Sequence, residues 1–148
     1  MKICYFGNFN PAYSRNRVII KGLEHHGARI VHELRKPHDL VIVGYSDSRW
    51  TVLIAWVWCL LSGKALVWDA FYSRYDSWVF DRKLASPRSI KGWYYWLLDW
   101  LCCRLADRVL LDTYTHIEYF VKTFHITRSK FIRVLVGTDE TIFHPFLG

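Results

Sequence analysis

The chain has 148 residues, of which 52% are hydrophobic and 22% charged, so it has the composition of one folded domain and not of a disordered chain. Twenty basic residues against 13 acidic ones give a net charge of +7, which attracts anions such as nucleic acid, anionic lipid or phosphorylated small molecules. The first apolar run is too short for a secretory signal. The longest, residues 50–61, is shorter than the about 20 residues that span a bilayer. We therefore expect a cytoplasmic domain.

Apolar runs separated by glycine, proline and capping residues predict strands and helices in alternation along most of the chain. The predicted strands are residues 2–6, 28–34, 39–44, 64–71, 107–113 and 130–136, and the predicted helices are 15–26, 50–61, 89–105 and 114–124. The strands are continuous apolar runs, as expected when both faces of a sheet are covered. The sequence therefore predicts an α/β fold: a doubly wound, mostly parallel, Rossmann-like sheet with helices on both faces.

Several helix ends carry their own signals. Ser14 is predicted to cap the first helix, and Gly27 to end it. Gly63 is expected to end the second helix. Thr115 and Glu118 have the spacing of a capping box at the start of the last helix.

In parallel sheets, ligands bind beyond the carboxyl ends of the strands, which here are residues 7–17, 44–49, 69–76 and 112–115. The first of these loops leads into a helix N-terminus, where free N–H groups hold phosphate well. Gly7, Asn8 and Arg15 are the candidate residues for that role. The loop has neither a dinucleotide nor a Walker fingerprint, and a plain solvated turn explains it equally well.

The stretch "VWDAFYSRYDSWVFDR" is the richest in chemistry. Asp69 ends a predicted strand, where a carboxylate can act as a base or hold a hydroxyl group, and it is the candidate catalytic residue. The candidate substrate-binding residues that follow are Phe71, Ser73, Asp76 and Arg82. Aromatic faces beside hydrogen-bonding groups suit sugars or isoprenoid-like ligands. The alternative is a structural loop, in which Asp69 caps a turn and Asp81 pairs with Arg82.

For several other polar residues a structural role is favoured over a functional one. Asp112 and Thr113 also end a strand, and helix capping is the favoured role, with ligand contact by Thr113 as an addition. The seven histidines show no metal-ligand spacing, so we expect no metal and no cofactor. The four cysteines have no C-x-x-C spacing and are predicted to be buried, reduced thiols.

The segment "RSIKGWYYWLLDWLCCRLADR" combines aromatic residues with cations at both ends, Arg88 and Lys91 at the start and Arg104 and Arg108 at the end. Trp and Tyr beside cations are typical of the bilayer interface, so this helix is a candidate for peripheral contact with an anionic membrane. A helix buried in the core and against a neighbouring domain is the equal alternative.

The most specific stretch lies near the C-terminus. "ADRVLLDT", a helix, and then "KFIRVLVGTDETIFHP" resemble the end of the N-terminal domain of retaining GT-B glycosyltransferases similar to family four. The matching positions of the last stretch are Val136, Gly137, Thr138, Asp139, Phe143 and Pro145. The opening strand and loop and the position of Asp69 also look like that family, so the resemblance covers the whole chain.

The resemblance implies that residues 1–148 are the N-terminal, acceptor-side domain of such an enzyme, without its C-terminal donor-binding domain. It implies a nucleotide-sugar donor, a sugar or lipid-linked acceptor, and hexosyl transfer with retention. In that arrangement the loop at Gly7 faces the donor phosphates, and Asp69 lies near the acceptor hydroxyl. The missing half is either a further domain or a partner subunit.

Two functions follow, and the sequence leaves both open. The first is an enzyme domain that works at the cytoplasmic face of the inner membrane. The second is a non-catalytic subunit of a split glycosyltransferase that docks on the membrane or binds the acceptor. Nucleic-acid binding is disfavoured because the basic residues are spread without a cluster or motif, and nicotinamide binding because its glycine fingerprint is missing.

Overall fold

A computed structural model describes residues 1–46 and 48–137. The strands are β1 (Lys2–Phe6), β2 (Arg29–Val31), β3 (Leu40–Val43), β4 (Ala65–Phe71), β5 (Arg108–Leu111) and β6 (Phe131–Arg133). The α-helices are α1 (Ser14–His25), α2 (Trp50–Ser62), α3 (Ile90–Leu105) and α4 (Tyr114–Phe124). A π-helical turn at Asp76–Asp81 and a 3-10 turn at Arg128–Lys130 complete the described elements.

The strands form one six-stranded sheet in the order β2-β1-β3-β4-β5-β6, and each neighbouring pair is parallel. This confirms the predicted doubly wound, Rossmann-like α/β fold. The chain moves outward in opposite directions from β1, to β2 on one side and to β3 on the other. The carboxyl ends of β1 and β3 therefore flank a topological switch point, where sheets of this kind bind ligands.

The two faces of the sheet carry separate cores. On one face Ile3, Tyr5 and Ile42 pack against α1 through Ile19 and Leu23. On the other face α2, α3 and α4 cover the alternate strand residues, and the buried side chains of this larger core include Val41, Val43, Leu66, Trp68, Val109 and Phe120. Burial on both sides explains why the strands lack an alternating hydrophobic pattern.

The outer strands are shorter than predicted. β2 covers only Arg29–Val31 of the expected residues 28–34, and β6 covers only Phe131–Arg133 of the expected 130–136. The apolar sequence after β6 does not prolong the buried strand, because Leu135 and Val136 are 63% and 50% exposed. Within residues 1–46 and 48–137, both strands pair on one side only, with β1 and β5 respectively. Apolar residues at such an edge therefore lack the partners that would extend the strand.

Two of the predicted helix caps are wrong. Tyr13 occupies the N-cap of α1 without a side-chain cap bond, and Ser14 is already helical. Thr113, not Thr115, caps α4, because its hydroxyl accepts a hydrogen bond from the His116 amide at 3.1 Å. The structural role favoured for Thr113 is thus confirmed. Gly63 ends α2 in the left-handed conformation as predicted, with φ of 64°.

All four cysteines are buried, as predicted, and each is a free thiol. Burial raises the pKa of Cys4 and of Cys59 to about 11. Within residues 1–46 and 48–137, no helix has both the length and the apolar character needed to cross a membrane.

Candidate functional site at the carboxyl edge of the sheet

A cavity of about 390 Å³ opens at the carboxyl edge of the sheet. It is lined by Tyr13, Tyr45, Phe71, Tyr72, Ser73, Asp76, Ser77, Asp81, Arg82 and His116. The end of β4, the loops after β1, β3 and β4, the π-helical turn and the first turn of α4 supply these side chains. A larger cavity, of about 640 Å³, lies at the amino edge between Met1, Pro37 and Trp58. We favour the carboxyl edge because parallel sheets bind ligands there.

Four aromatic rings, from Tyr13, Tyr45, Phe71 and Tyr72, form one wall of the cavity. The Tyr45 ring centroid lies 5.2 Å from that of Tyr13, 5.1 Å from Phe71 and 5.7 Å from Tyr72. The Tyr45 hydroxyl also donates a hydrogen bond to the Tyr72 hydroxyl at 3.1 Å. The wall is thus apolar across its rings and polar at its three tyrosine hydroxyls, which suits a ligand with one apolar face and several hydroxyl groups.

An irregularity at the end of β4 sets the position of this wall. The pairing of β4 with β5 shifts register between Asp69 and Phe71. Phe71 has φ of 62°, a left-handed conformation that is unfavourable for a bulky side chain. Packing must hold such a residue in place, and residues of this kind cluster at functional sites.

Arg15 and Asp69 form a buried ion pair behind the wall. The Arg15 Nη2 and Nε atoms lie 2.7 and 2.9 Å from Asp69 Oδ1, and the side chains are 1% and 0% exposed. Arg15 Nη1 donates to the Val134 carbonyl at 3.0 Å, and the guanidinium lies 4.7 Å from the Phe71 ring centroid. Burial raises the pKa of Asp69, and the hydrogen bonds and charge of Arg15 oppose that rise. The pair thus supports the cavity from behind.

Arg49 and Asp99 form a second buried ion pair, with Arg49 Nε 3.0 Å from Asp99 Oδ1. The other Asp99 oxygen accepts hydrogen bonds from the Ser73 hydroxyl at 2.9 Å and the Tyr75 amide at 3.0 Å. Arg49 also donates to the carbonyls of Ser46 and Tyr72. The pair therefore joins the loops after β3 and β4 to the middle of α3.

Asn16 joins the loops after β1 and β3, which flank the switch point. Its Oδ1 accepts from the Tyr5 hydroxyl at 2.9 Å and the Tyr45 amide at 3.0 Å. Its Nδ2 donates to the carbonyls of Asn10 and Tyr45. This fully buried amide holds the loop that carries Tyr45 against the start of α1.

Ionisable groups also line the cavity: Asp76, Asp81, Arg82 and His116. Burial and the neighbouring Asp81 carboxylate raise the pKa of Asp76. His116 Nδ1 lies 2.5 Å from Asp112 Oδ1, so Nε2 is the ring nitrogen that can exchange a proton with a ligand. Arg82 adds a cation to the rim. The cavity can therefore hydrogen-bond several hydroxyl groups and accept a proton from one of them.

The structure brings some predicted site residues together and separates others. Phe71, Ser73, Asp76 and Arg82 share the carboxyl-edge cavity. Gly7, with φ of 118°, lines a different cavity of about 550 Å³ beside Phe9, Arg17 and His32. Asn8 and Thr113 are exposed near the ends of β1 and β5. Arg15 and Asp69 contact each other rather than the cavity space.

The sequence reasoning missed Asn16, Arg49 and Asp99 as organising residues. One signal for Asp99 was available, because it is the single acidic residue between Ile90 and Leu105 and is flanked by the apolar residues Leu98 and Trp100. An acid in that setting needs a buried partner.

No protein-family model matches this chain, and neither does any curated protein. Two crystal structures of Anabaena HepE share its fold. HepE in complex with UDP and glucose gives a TM-score of 0.56, and HepE in complex with UDP gives 0.55. Both are 12% identical in sequence, and each match covers 96% of this chain and 46% of the HepE chain.

At that identity, the likeness is one of fold. The chain has the Rossmann-like α/β fold of one half of a GT-B glycosyltransferase, and it spans less than half the length of HepE. Membership of family four stays a prediction. Of the motif that suggested it, Val136 and Gly137 are described, whereas Thr138, Asp139, Phe143 and Pro145 lie outside the described residues.

Proposed function

We propose that this chain is the acceptor-side domain of a glycosyltransferase that moves a sugar from a nucleotide-sugar donor to a sugar or lipid-linked acceptor. The observation that carries the proposal is the cavity of aromatic rings, carboxylates and one arginine at the carboxyl edge of a GT-B-like half. HepE was crystallised with UDP and glucose, which supports a nucleotide-sugar as the donor here.

In this proposal the cavity binds the acceptor. A sugar ring packs its apolar face on Tyr45 and Tyr72, while Asp76, Asp81 and Arg82 take its hydroxyl groups. The donor is held mainly by a further domain or a partner subunit, and Gly7 and Asn8 approach its phosphates. No metal or cofactor is required.

Asp69 has a narrower role than direct proton transfer. Its carboxylate is enclosed with Arg15, whose guanidinium lies against the Phe71 ring. We assign to Asp69 the positioning of the aromatic wall, and to His116, backed by Asp112, any transfer of a proton from the acceptor.

Retention at the anomeric carbon and action at the cytoplasmic membrane face are part of the proposal, and both rest on the sequence resemblance. The anomeric configuration of the first product, read by proton NMR on the intact enzyme, tests retention. A product of inverted configuration would remove the assignment to the retaining group.

The experiment that tests acceptor binding is saturation-transfer NMR on this chain with a panel of monosaccharides and their methyl glycosides. At least one sugar is expected to give transfer signals, and Tyr72→Ala should weaken them about tenfold or more by removing the stacking surface. Tyr114→Ala is the control, because Tyr114 is exposed and does not line the cavity. No signal from any sugar, or equal signals from both variants, would refute acceptor binding in this cavity.

A further inference from the structure

The outward face of α2 is apolar along its whole length. Trp50, Ile54, Val57 and Leu61 follow one another at intervals of one helical turn and are 56%, 57%, 49% and 81% exposed. The opposite side of the helix packs into the core through Val52, Ala55 and Cys59. No charged residue occurs from Trp50 to Ser62. A surface helix normally carries polar residues on its outer face. The apolar outer face of α2 is therefore expected to contact a partner or a membrane.

Helix α3 adds exposed apolar residues on the same side of the sheet. It packs beside α2 on the same face of the sheet. Ile90, Trp93 and Tyr94 are exposed on it, Ile90 to 91%. We call the exposed apolar residues of these two helices the α2–α3 face: Trp50, Ile54, Val57, Leu60, Leu61, Ile90, Trp93 and Tyr94.

The exposed charges of α2 and α3 themselves are all positive, and one exposed carboxylate, Asp107, follows α3 and lines a cavity with Leu60. The only acidic residue of the two helices is Asp99, and it is buried in its pair with Arg49. Arg88, Lys91 and Arg104 are exposed on α3 or at its start. Arg88 and Lys91 are close in sequence to Trp93 and Tyr94. Aromatic residues at the level of cations match the interface of a bilayer, where rings lie among headgroups and cations meet anionic phosphates.

We infer that the α2–α3 face rests on the surface of an anionic phospholipid membrane, with both helices lying on the bilayer. This deepens the membrane location within the proposed function by naming the surface and the lipid charge. A second copy of the chain is a poorer occupant. A two-fold contact through this face would bring the cations of both copies together, and neither helix has an exposed acid to meet them.

The test is flotation of the whole chain with vesicles of phosphatidylcholine, alone or mixed equally with phosphatidylglycerol, at low salt. The chain is expected to float with the mixed vesicles and much less with the neutral ones. Val57→Glu should lower the bound fraction about tenfold, because membrane binding would then bury a carboxylate against the anionic bilayer. Ile132→Glu is the matched control: Ile132 is also β-branched, is 44% exposed, and lies on β6, outside the α2–α3 face.

Several outcomes would overturn the inference. These are no binding by the unaltered chain, equal binding to both vesicle types, or equal loss in the two variants while circular dichroism shows both folded. A dimer in sedimentation velocity that Val57→Glu dissociates, with flotation unchanged, would assign the face to a second copy. Sugar binding by NMR needs no vesicle, so failure of the membrane inference and failure of acceptor binding are read separately.

Discussion

Arg15 and Asp69 meet inside the molecule although 54 positions separate them in the chain. The two side chains have almost no exposed surface, so their attraction is weakly screened, and each would be left as an uncompensated charge without the other. The same holds for Arg49 and Asp99. At the scale of single residues, the candidate site is therefore stabilised by buried pairs of opposite charges.

Removing one member of the first pair should therefore destabilise the whole domain. Asp69→Ala is expected to lower the free energy of unfolding by about 3–5 kcal/mol, because the Arg15 guanidinium stays buried and charged. Urea unfolding followed by circular dichroism measures the change. Glu33→Ala, which breaks the exposed pair with Lys36, is the control and should cost less than about 1 kcal/mol. Equal losses in the two variants would show that the Arg15–Asp69 pair is unimportant for stability.

The buried thiols give a second prediction for single residues. Burial raises the pKa of Cys4 and Cys59 to about 11 and that of Cys102 to about 12, so at pH 8 these groups stay protonated in the folded protein. Because the thiolate is the reactive form, Ellman's reagent should react with the native chain about 100-fold more slowly than with the chain in guanidinium. Rapid reaction of any cysteine in the native state would contradict the burial described.

The central elements were the ones that the sequence predicted best. Residues 40–43 and 65–71 are β-rich apolar runs with strands on both sides, and both local preference and burial favour the same structure there. Strand β6 was predicted too long, because the apolar pattern of residues 130–136 does not reveal that the pairing with β5 stops at Arg133. Thr113 and Thr115 both suit a cap, and only the backbone turn after β5 decides between them.

Some residues of the candidate site were also predictable from the sequence, and others were not. Phe71, Ser73, Asp76 and Arg82 were predicted together because they occur in one short stretch that follows one strand. Asn16 and Asp99 could not be assigned, since their partners come from distant loops. Contacts across about 30–50 positions depend on the final topology, which no local pattern reports.

The two helical glycines, Gly92 and Gly22, should respond in opposite directions to alanine. A Cβ atom at Gly92 in α3 would lie 2.2 Å from the Ser86 carbonyl oxygen, so Gly92→Ala must displace backbone at the start of the helix. A Cβ at Gly22 in α1 meets nothing within 4 Å, and Gly22→Ala should stabilise the protein by about 0.5–1 kcal/mol through helix propensity. Thermal unfolding of the two variants compares them. A Gly92→Ala protein as stable as the unaltered chain would show that Ser86 has room to move.

At the scale of the whole molecule, the domain has two surfaces for which different functions are proposed. The carboxyl edge holds the cavity, and the α2–α3 face lies on one side of the sheet. Arg49 and Asp99 connect them, because Arg49 precedes α2, Asp99 belongs to α3, and their hydrogen bonds reach Ser46, Tyr72, Ser73 and Tyr75. The helices that form the proposed membrane contact thus also fix the loops of the proposed acceptor site.

The proposal assigns the acceptor to this chain and the donor mainly to a further domain or a partner, and it predicts how the isolated chain responds to a donor nucleotide. UDP at millimolar concentration should leave the melting temperature of this chain unchanged, because a ligand stabilises a protein only where the folded state binds it. Differential scanning fluorimetry checks this, with UMP as the matched nucleotide control. A clear rise with UDP and none with UMP would place a diphosphate site on this chain alone, and the assignment of the donor to a further domain or partner would be wrong.

The contact between Arg15 and Asp69 also has an evolutionary consequence. Replacing either residue alone strands a buried charge, so a lineage that loses one of them would pass through an unstable intermediate. Homologous chains should therefore keep both residues or have exchanged both, even where the rest of the sequence has diverged widely. The joint presence of an arginine at the start of the first helix and an aspartate at the end of the fourth strand would then serve as a fingerprint for finding distant relatives of this chain.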